Sequence, residues 1–274
     1  MKTAFILSGG GVKGAFQVGA MKAVIEAGIV PDACYGTSIG ALNSAAMAFH
    51  SIYEIEKFWR AITKMSDALS TQWFSLLSAG GYYSTAPLKK TLNKIISGTP
   101  TREAVACYCD LWQGSKNYAY LSKMKIEDFR KFLLASASIP TAMNPVDDRY
   151  VDGGVREQTP IKPAIDDGME RIIIFLCNPF EVNLLPESAS TFPKILNNGL
   201  RALDMMEHQI FLNDINTCLI RNDLPDYRHV ELLIISPEAF LYDTLTFDPK
   251  LIAGAIDKGY AQAKFLLTGS GIKP

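Results

Sequence analysis

Short apolar runs alternate with amphipathic stretches along this chain, a pattern typical of α/β proteins. Residues 4–7 and 171–177 are almost continuously apolar, without the polar alternation of a half-exposed strand. Such runs predict parallel strands buried on both faces of a sheet. Between them, apolar residues recur at helical spacing, as in residues 51–64. The order of the segments predicts a three-layer α/β/α sandwich around a mainly parallel sheet, with residues 1–274 forming one domain.

The first forty residues carry two glycine-rich turns. Residues 4–7 lead into Gly9-Gly10-Gly11, and a helix is predicted from about residue 12 to Gly28. A second strand at residues 32–35 runs into residues 36–40, Gly-Thr-Ser-Ile-Gly, before a helix at 41–49. Two strands joined by a helix are expected to be adjacent and parallel, so both turns should lie at the same edge of the sheet.

The remaining segments fit the same architecture. Helices are predicted at residues 87–96, 126–137, 160–167, 192–222 and 250–267, a further strand at 229–235, and a hairpin of strands at 104–112 and 118–121. A tight turn is predicted at residues 147–149, just before Tyr-Val-Asp-Gly-Gly at 150–154.

Composition narrows the classes of function. The 274 residues are 48% hydrophobic, and 27 Lys and Arg nearly balance 28 Asp and Glu, which argues against an electrostatic nucleic-acid binder. Five scattered cysteines favour reduced, structural thiols over disulfides or a metal site. Ser8 and the glycines interrupt the apolar N-terminus too early for a signal sequence, and no run approaches the ~20 apolar residues of a membrane span. We therefore expect a cytosolic protein without a metal or cofactor.

Ser38 is the first candidate for chemistry. It lies in Gly36-Thr37-Ser38-Ile39-Gly40, which matches G-x-S-x-G, the turn that holds a nucleophilic serine between a strand and a helix. The predicted strand before it and the predicted helix after it supply the required context. Taken alone, the pentad also fits a serine that only caps the next helix.

The first glycine turn has two interpretations. Gly9, Gly11 and Gly14 form G-x-G-x-x-G between a strand and a helix, which is formally a dinucleotide-binding fingerprint. Such a site needs an acidic residue at the end of the second strand, where this chain has Tyr35 to Ser38 instead. Backbone N–H groups of the same loop can stabilise an oxyanion as readily as a phosphate.

Asp152 is the second candidate, because the histidines are poorly placed to activate Ser38. An Asp-Gly pair is usually only a turn. The chain has three histidines, and His50 lies about 18 Å from Ser38 along the predicted helix. Neither His208, in a long helix, nor His229, at the start of a strand, has the late-loop position of the usual Ser-Asp-His order. A carboxylate acting directly on the serine is the remaining route.

Residues 71–83 are rich in aromatic residues, and two interpretations fit them. One is ordinary packing in the core and in loops. The other is that a set of large apolar side chains lines or covers an acyl-chain pocket near Ser38, with Gly80-Gly81 as a hinge: Trp73, Phe74, Leu76, Leu77, Tyr82 and Tyr83.

Together these blocks resemble the patatin-like phospholipase family of serine acyl hydrolases. Gly9-Gly10-Gly11-Val12-Lys13-Gly14 is similar to the family's glycine-rich oxyanion block, residues 36–40 to its nucleophile elbow, and Asp152-Gly153-Gly154 to its Asp-Gly-Gly block. The segment Ala135-Ser136-Ala137-Ser138-Ile139-Pro140 is also similar to the family. The matching motifs fall within residues 9–154, and the last 120 residues resemble the family only in their order of strands and helices.

The resemblance implies a catalytic pair without histidine. Ser38 would be the nucleophile, Asp152 its base, and the N–H groups of Gly10 and Gly11 the oxyanion hole. Lys13 takes the family's basic position, and we expect it to be a solvated charge at the helix start rather than a site for an anionic head group. The implied substrate is a lipid ester, with contact at a membrane or micelle surface left open. An acyltransferase that uses the same elbow is the nearest alternative activity.

Overall fold

We describe a computed structural model of the chain, covering residues 1–67, 69–71, 81–180, 194–222 and 229–270. Its strands are β1 (Thr3–Leu7), β2 (Ala33–Thr37), β3 (Ser70–Thr71), β4 (Gly81–Ser84), β5 (Glu103–Asp110), β6 (Ser115–Tyr120), β7 (Thr141–Met143), β8 (Tyr150–Asp152), β9 (Arg171–Phe175) and β10 (Glu231–Ile235). Its α-helices are α1 (Gly14–Glu26), α2 (Ile39–Phe49), α3 (Ile52–Arg60), α4 (Ala86–Ile95), α5 (Ile126–Ser136), α6 (Ile161–Asp166), α7 (Lys194–Asn222) and α8 (Pro249–Ser270).

The main sheet has the order β10-β9-β1-β2-β5-β6, and β8 also pairs with β5. The pairs from β10 to β5 are parallel, whereas β6 and β8 run antiparallel to β5. A smaller sheet joins β3, β4 and β7. The predicted sandwich around a mainly parallel sheet is confirmed, and so is the predicted parallel pairing of the first two strands.

Both faces of the central strands are buried, as their apolar runs predicted. On one face, Phe5 and Leu7 belong to a core that also includes residues of α1, α3 and α8. On the other face, Ala4 and Ile6 belong to a core that also includes residues of α6 and α7. Over β5, α2 packs with α4 and α5 in a third apolar cluster. None of the helices in the described ranges is long and apolar enough to cross a membrane.

Two predicted elements end early because a carboxylate captures the next backbone N–H groups. The strand predicted to reach residue 112 ends at Asp110, whose side chain accepts hydrogen bonds from the N–H groups of Trp112 and Gln113 at 3.0 and 3.3 Å. The helix predicted to reach residue 64 ends at Arg60, and Asp67 accepts from the N–H of Thr63 at 2.9 Å. In both places an Asp side chain stabilises a turn instead.

The position of β8 decides what meets at the edge of the sheet. β6 pairs with residues 105–110 of β5, so β8, which pairs with residues 108–110, must lie along the opposite side of β5. That side is occupied by β2 only as far as Cys107, which lies opposite Thr37. β8 therefore continues the line of β2 from the other direction, and its last residue, Asp152, is opposite Tyr108. The ends of β2 and β8 face each other.

Candidate active site

Ser38 sits in a strained turn between β2 and α2. Its backbone has φ 56° and ψ −126°, a conformation that non-glycine residues rarely adopt. The turn is tight enough to need glycine on either side: a Cβ on Gly36 would lie 2.2 Å from the backbone of Gly40, and a Cβ on Gly40 would lie 2.1 Å from the carbonyl oxygen of Leu7. Ser38 occupies the N-cap position of α2, but its side chain makes no capping hydrogen bond. Its hydroxyl is therefore not used to stabilise the helix.

Asp152 meets the Ser38 hydroxyl from the end of β8. The hydroxyl lies close enough to the Asp152 carboxylate for hydrogen bonding to lower the pKa of that group, and the N–H of Gly154 donates to the same carboxylate at 2.8 Å. Asp152 is only 2% exposed. Burial raises the pKa of Asp152 to about 7, although both hydrogen bonds act in the opposite direction. The result is a carboxylate that changes protonation near neutral pH while in contact with a serine.

The last residue of α5 and the segment after it hold Ser38 and Asp152 in place. The N–H of Ser38 donates to the hydroxyl of Ser136 at 2.9 Å, and that hydroxyl donates to the carbonyl of Cys107. Two residues on, the carbonyl of Ser138 accepts from the N–H of Asp152 at 3.0 Å. Both serines are fully buried. The sequence drew attention to this Ala- and Ser-rich segment but did not indicate its role as a link between Ser38 and Asp152.

The glycine loop after β1 contains two backbone N–H groups with no acceptor among the described residues. The N–H groups of Ser8 and Gly9 donate to the carbonyls of Phe175 and Gln158, respectively. The N–H of Val12 donates to the carbonyl of Thr244. Between them, the N–H groups of Gly10 and Gly11 donate to none of the residues that the structure describes. Gly11 and Ser38 line the same cavity.

The other glycines of the motifs serve close packing. A Cβ on Gly9 would collide with the side chain of Gln158, a Cβ on Gly14 with that of Ile39, and a Cβ on Gly153 with the carbonyl of Cys107. Contact between Gly14 and Ile39 places the start of α1 directly against the start of α2. The two glycine turns are thereby held side by side at one edge of the sheet.

The three histidines are used elsewhere. His50 ends α2, and its Nε2 lies 2.7 Å from the carbonyl oxygen of Ile95. His208 lies on α7 with its ring 6.1 Å from that of Phe211, and His229 is exposed before β10. None of the three lines the cavity at Ser38.

A sequence model of the patatin-like phospholipase family matches residues 5–165, which is more than half of the chain and includes Ser38 and Asp152. The chain belongs to the patatin-like phospholipase family. Lipid acyl hydrolysis is the activity that this family indicates. Among solved structures, the crystal structure of VipD from Legionella pneumophila is similar with a TM-score of 0.53 and 14% sequence identity. That similarity covers 98% of this chain and 67% of VipD, and it supports a patatin-like fold. No curated protein matches the sequence.

In this patatin-like chain, an apolar cavity of about 210 Å³ opens at Ser38. Its wall is formed largely by one face each of α2, α3 and α4, through residues such as Leu42, Ala46, Ile55, Trp59, Leu88 and Leu92. The sequence predicted these helices but did not indicate that their apolar faces border a cavity. Apolar periodicity does not distinguish a face that fills a core from one that borders a cavity.

The aromatic segment proposed from the sequence for this purpose is only partly described. Trp73, Phe74, Leu76 and Leu77 fall outside the described residues, and so does the side chain of Tyr82. Tyr83 is buried in a small cluster with Leu69 and Met143, which themselves line the cavity, but Tyr83 does not line it. The acyl-pocket role of this segment stays a prediction.

Lys13 of the family's glycine block is not the solvated charge that we expected. It is 1% exposed, and its ammonium group donates to Asn178 Oδ1 at 2.7 Å and lies 5.4 Å from the centre of the Phe240 ring. Both partners come from distant parts of the chain, so no local pattern could indicate them. The buried side chain passes directly beside Gly10, since a Cβ there would lie 3.5 Å from Lys13 Cε.

Proposed function

We propose that the chain hydrolyses carboxylic ester bonds of phospholipids or related lipids, with Ser38 as nucleophile and Asp152 as base. One observation carries the proposal: a buried carboxylate lies close enough to the hydroxyl of a serine held in a strained turn for hydrogen bonding to act on the carboxylate pKa. A serine hydroxyl is a weak nucleophile until a neighbouring base removes its proton. A carboxylate with a pKa near 7 is far better suited to this than one with the usual value of about 3.9.

In the proposed first step, Ser38 Oγ attacks the ester carbonyl carbon and its proton passes to Asp152. The carbonyl oxygen becomes negatively charged and accepts hydrogen bonds from the N–H groups of Gly10 and Gly11. The N–H of Ile39 would be a further donor, because Ile39 lines the same cavity and the first N–H groups of a helix have no partner within it. Such fixed donors need no reorientation as charge develops. The tetrahedral intermediate then expels the alcohol, which takes the proton from Asp152, and an acyl-Ser38 ester remains.

The second half repeats these roles with water. A water molecule gives a proton to Asp152 and attacks the acyl-Ser38 carbonyl, and the oxyanion is held as before. Collapse of this intermediate releases the carboxylic acid, and Ser38 recovers its proton. If an alcohol replaces water at this stage, the outcome is acyl transfer, so the acyltransferase alternative differs only in the acceptor.

The dinucleotide-binding alternative gains little support from the structure. A ribose partner is needed at the end of β2, where Thr37 instead donates its hydroxyl to the carbonyl of Glu157 at 2.9 Å. The carboxylate of Glu157 is 2.9 Å from the ammonium group of Lys116.

We further propose that residues 1–274 form one domain. The five cysteines are all buried, which supports the proposal of a reducing, cytosolic compartment.

Labelling with a fluorescent fluorophosphonate tests the proposed nucleophile. We expect one covalent adduct on the wild-type chain, mapped to Ser38 by mass spectrometry, and no adduct on Ser38→Ala. Ser44→Ala is a matched control because Ser44 is a buried serine on α2, and it should label like the wild type. No adduct on the wild type, together with an NAD-induced rise in melting temperature, would favour the dinucleotide alternative.

The cavity predicts a limit on acyl-chain length. Ala46 lies eight residues after Ser38 on α2, about 12 Å along the helix axis, and it borders the cavity. We expect Ala46→Leu to lower kcat/KM for p-nitrophenyl dodecanoate about tenfold while changing that for the butyrate less than twofold. The exposed Ala61 provides the control, since Ala61→Leu should alter neither. Equal losses of kcat/KM on both esters would show that this cavity does not bind the acyl chain.

A further inference from the structure

Two neighbouring turns form a rigid projection beyond the candidate active site. The first is residues 111–114, between β5 and β6, and the second is residues 146–149, before β8; we call them together the edge knob. The N–H of Leu111 donates to the carbonyl of Arg149 at 3.0 Å, and the indole N–H of Trp112 donates to that of Asp148 at 3.2 Å. The guanidinium of Arg149 in turn binds the carboxylate of Asp110 at 2.6 Å. The two turns therefore hold each other in one arrangement.

The edge knob presents two large apolar side chains to solvent. Trp112 is 77% exposed, the highest value among the large apolar residues that the structure describes, and Leu111 is 51% exposed. The indole N–H is already satisfied by Asp148, so the uncovered part of Trp112 is its apolar ring. Fixing these side chains outward keeps their apolar surface in water, which is unfavourable for the isolated protein. Exposure that is held in place in this way indicates an interaction site.

The surroundings of the knob suit an interface between apolar and polar phases. Phe132 and Tyr150 are half-buried beside it, with their ring centres 5.4 Å apart. The ammonium of Lys131 lies over both rings, at 4.9 and 5.7 Å. Tyr150 is an aromatic ring with a polar end and Lys131 a cation on a long apolar stem, and both kinds of side chain are typical of the boundary of a lipid surface.

The charges around the knob are balanced. Cations and carboxylates in the knob or in contact with it occur in equal number: Lys131, Arg149 and Arg156 against Asp110, Asp147 and Asp148. Four of the six are paired with each other, Arg149 with Asp110 and Lys131 with Asp147. A patch without net charge has no electrostatic preference for an anionic surface, and it matches a surface whose head groups carry both charges.

We propose that the edge knob seats the protein on a zwitterionic lipid surface by inserting Leu111 and Trp112. The inference rests on the proposed function, because it gives the lipid ester a route to Ser38. β5 carries the knob, and Asp152 lies opposite Tyr108 on that strand. The knob thus stands only about 10 Å beyond the level of Asp152, at the usual rise of a strand. That is comparable to the depth at which amphipathic segments lie in the head-group region.

Sedimentation with sucrose-loaded phosphatidylcholine vesicles tests the proposal. Binding is measured in the Ser38→Ala background, so that the vesicles stay intact. We expect the Leu111→Ser/Trp112→Ser double variant to bind at least about tenfold more weakly, and 1 M NaCl to leave wild-type binding unchanged. Phe265→Ser is the matched control, because Phe265 is 70% exposed on α8 and lies outside the knob; this variant should bind like the parent.

Two further measurements separate this inference from the proposed catalysis. On an active Ser38 background, the double variant should hydrolyse soluble p-nitrophenyl butyrate at the wild-type rate, which also shows that it is folded. The contribution of Trp112 to the fluorescence is the part that disappears in Trp112→Phe. Brominated phosphatidylcholine should quench this part in the chain that retains Trp112. Unchanged vesicle binding by the double variant would overturn the proposal. So would binding that requires anionic phosphatidylglycerol and disappears in 1 M NaCl, or capture of the knob by a protein partner with no vesicle binding.

Discussion

Replacing Asp152 with asparagine is expected to lower kcat by roughly a thousandfold, within the 10²–10⁴-fold range that a general base supplies. Asparagine has nearly the same shape and can still accept the hydrogen bonds from Ser38 and Gly154, but it cannot take up the serine proton. The loss should appear in kcat rather than in KM, because the side chain is buried behind Ser38 and acts on its proton. Steady-state kinetics on p-nitrophenyl butyrate give both values.

The histidines provide the controls for this prediction. His50→Ala, His208→Ala and His229→Ala should each keep kcat within a few-fold of the wild type, because the structure brings none of these rings to the cavity at Ser38. A histidine variant as inactive as Ser38→Ala would rule out a pair made of Ser38 and Asp152 alone.

The pH dependence follows from the same group. The pKa of Asp152 is raised to about 7 by burial, and the base must be unprotonated to act. The value of kcat/KM should therefore fall about tenfold per pH unit below 7 and level off above it.

The contribution of Asp152 to the free energy of unfolding changes with pH in the opposite direction. A carboxyl whose folded pKa is raised favours the folded state while protonated, and this contribution is lost as pH rises from about 4 through 7. Asp152→Asn should therefore melt no lower than the wild type at pH 8, so its inactivity is not unfolding.

Local signals were enough to predict the strands and helices that frame the site. β1 and β9 are buried on both faces, so their sequences are continuously apolar and need no long-range information to be recognised. The turn at Ser38 was equally clear, because Gly36 and Gly40 are required by contacts of 2.1–2.2 Å that a Cβ would make. At a position where the backbone permits only glycine, the glycine in the sequence indicates the local backbone geometry.

Other features depend on contacts between distant residues and left no local signal. Asp152 meets Ser38 because the three-residue strand β8 takes over the side of β5 that β2 leaves, and so short a strand has no periodicity. The unsuitable positions of the histidines, together with the family resemblance, indicated that pairing. Lys13 looked solvated because its neighbours in sequence do not reveal Asn178 and Phe240. Charged side chains are rarely fully buried, so the sequence-based expectation followed the rule and this residue is an exception.

The second large effect is expected at the proposed oxyanion hole. Gly11 has φ 60°, and a Cβ there would lie 2.1 Å from the carbonyl oxygen of Thr244. Backbone oxygen cannot yield to that extent, so Gly11→Ala must displace the loop that carries the N–H groups of Gly10 and Gly11. Removing one oxyanion donor typically lowers kcat about 10²–10³-fold. We expect a loss of at least that size for Gly11→Ala on p-nitrophenyl butyrate.

Backbone strain has to be separated from loss of the donors. Gly98 also has a positive φ, 93°, but a Cβ there would meet nothing within 4 Å. Gly98→Ala thus introduces an unfavourable backbone conformation without a collision, and it should keep kcat within a few-fold of the wild type. Fluorophosphonate labelling adds a second control, because Gly11→Ala retains Ser38 and Asp152 but should label slowly, as the phosphonyl oxygen needs the same donors. Wild-type kcat in a folded Gly11→Ala would mean that the loop does not hold the oxyanion. The oxyanion would then be stabilised by the first N–H groups of α2. These groups follow Ser38 directly, and this substitution leaves them in place.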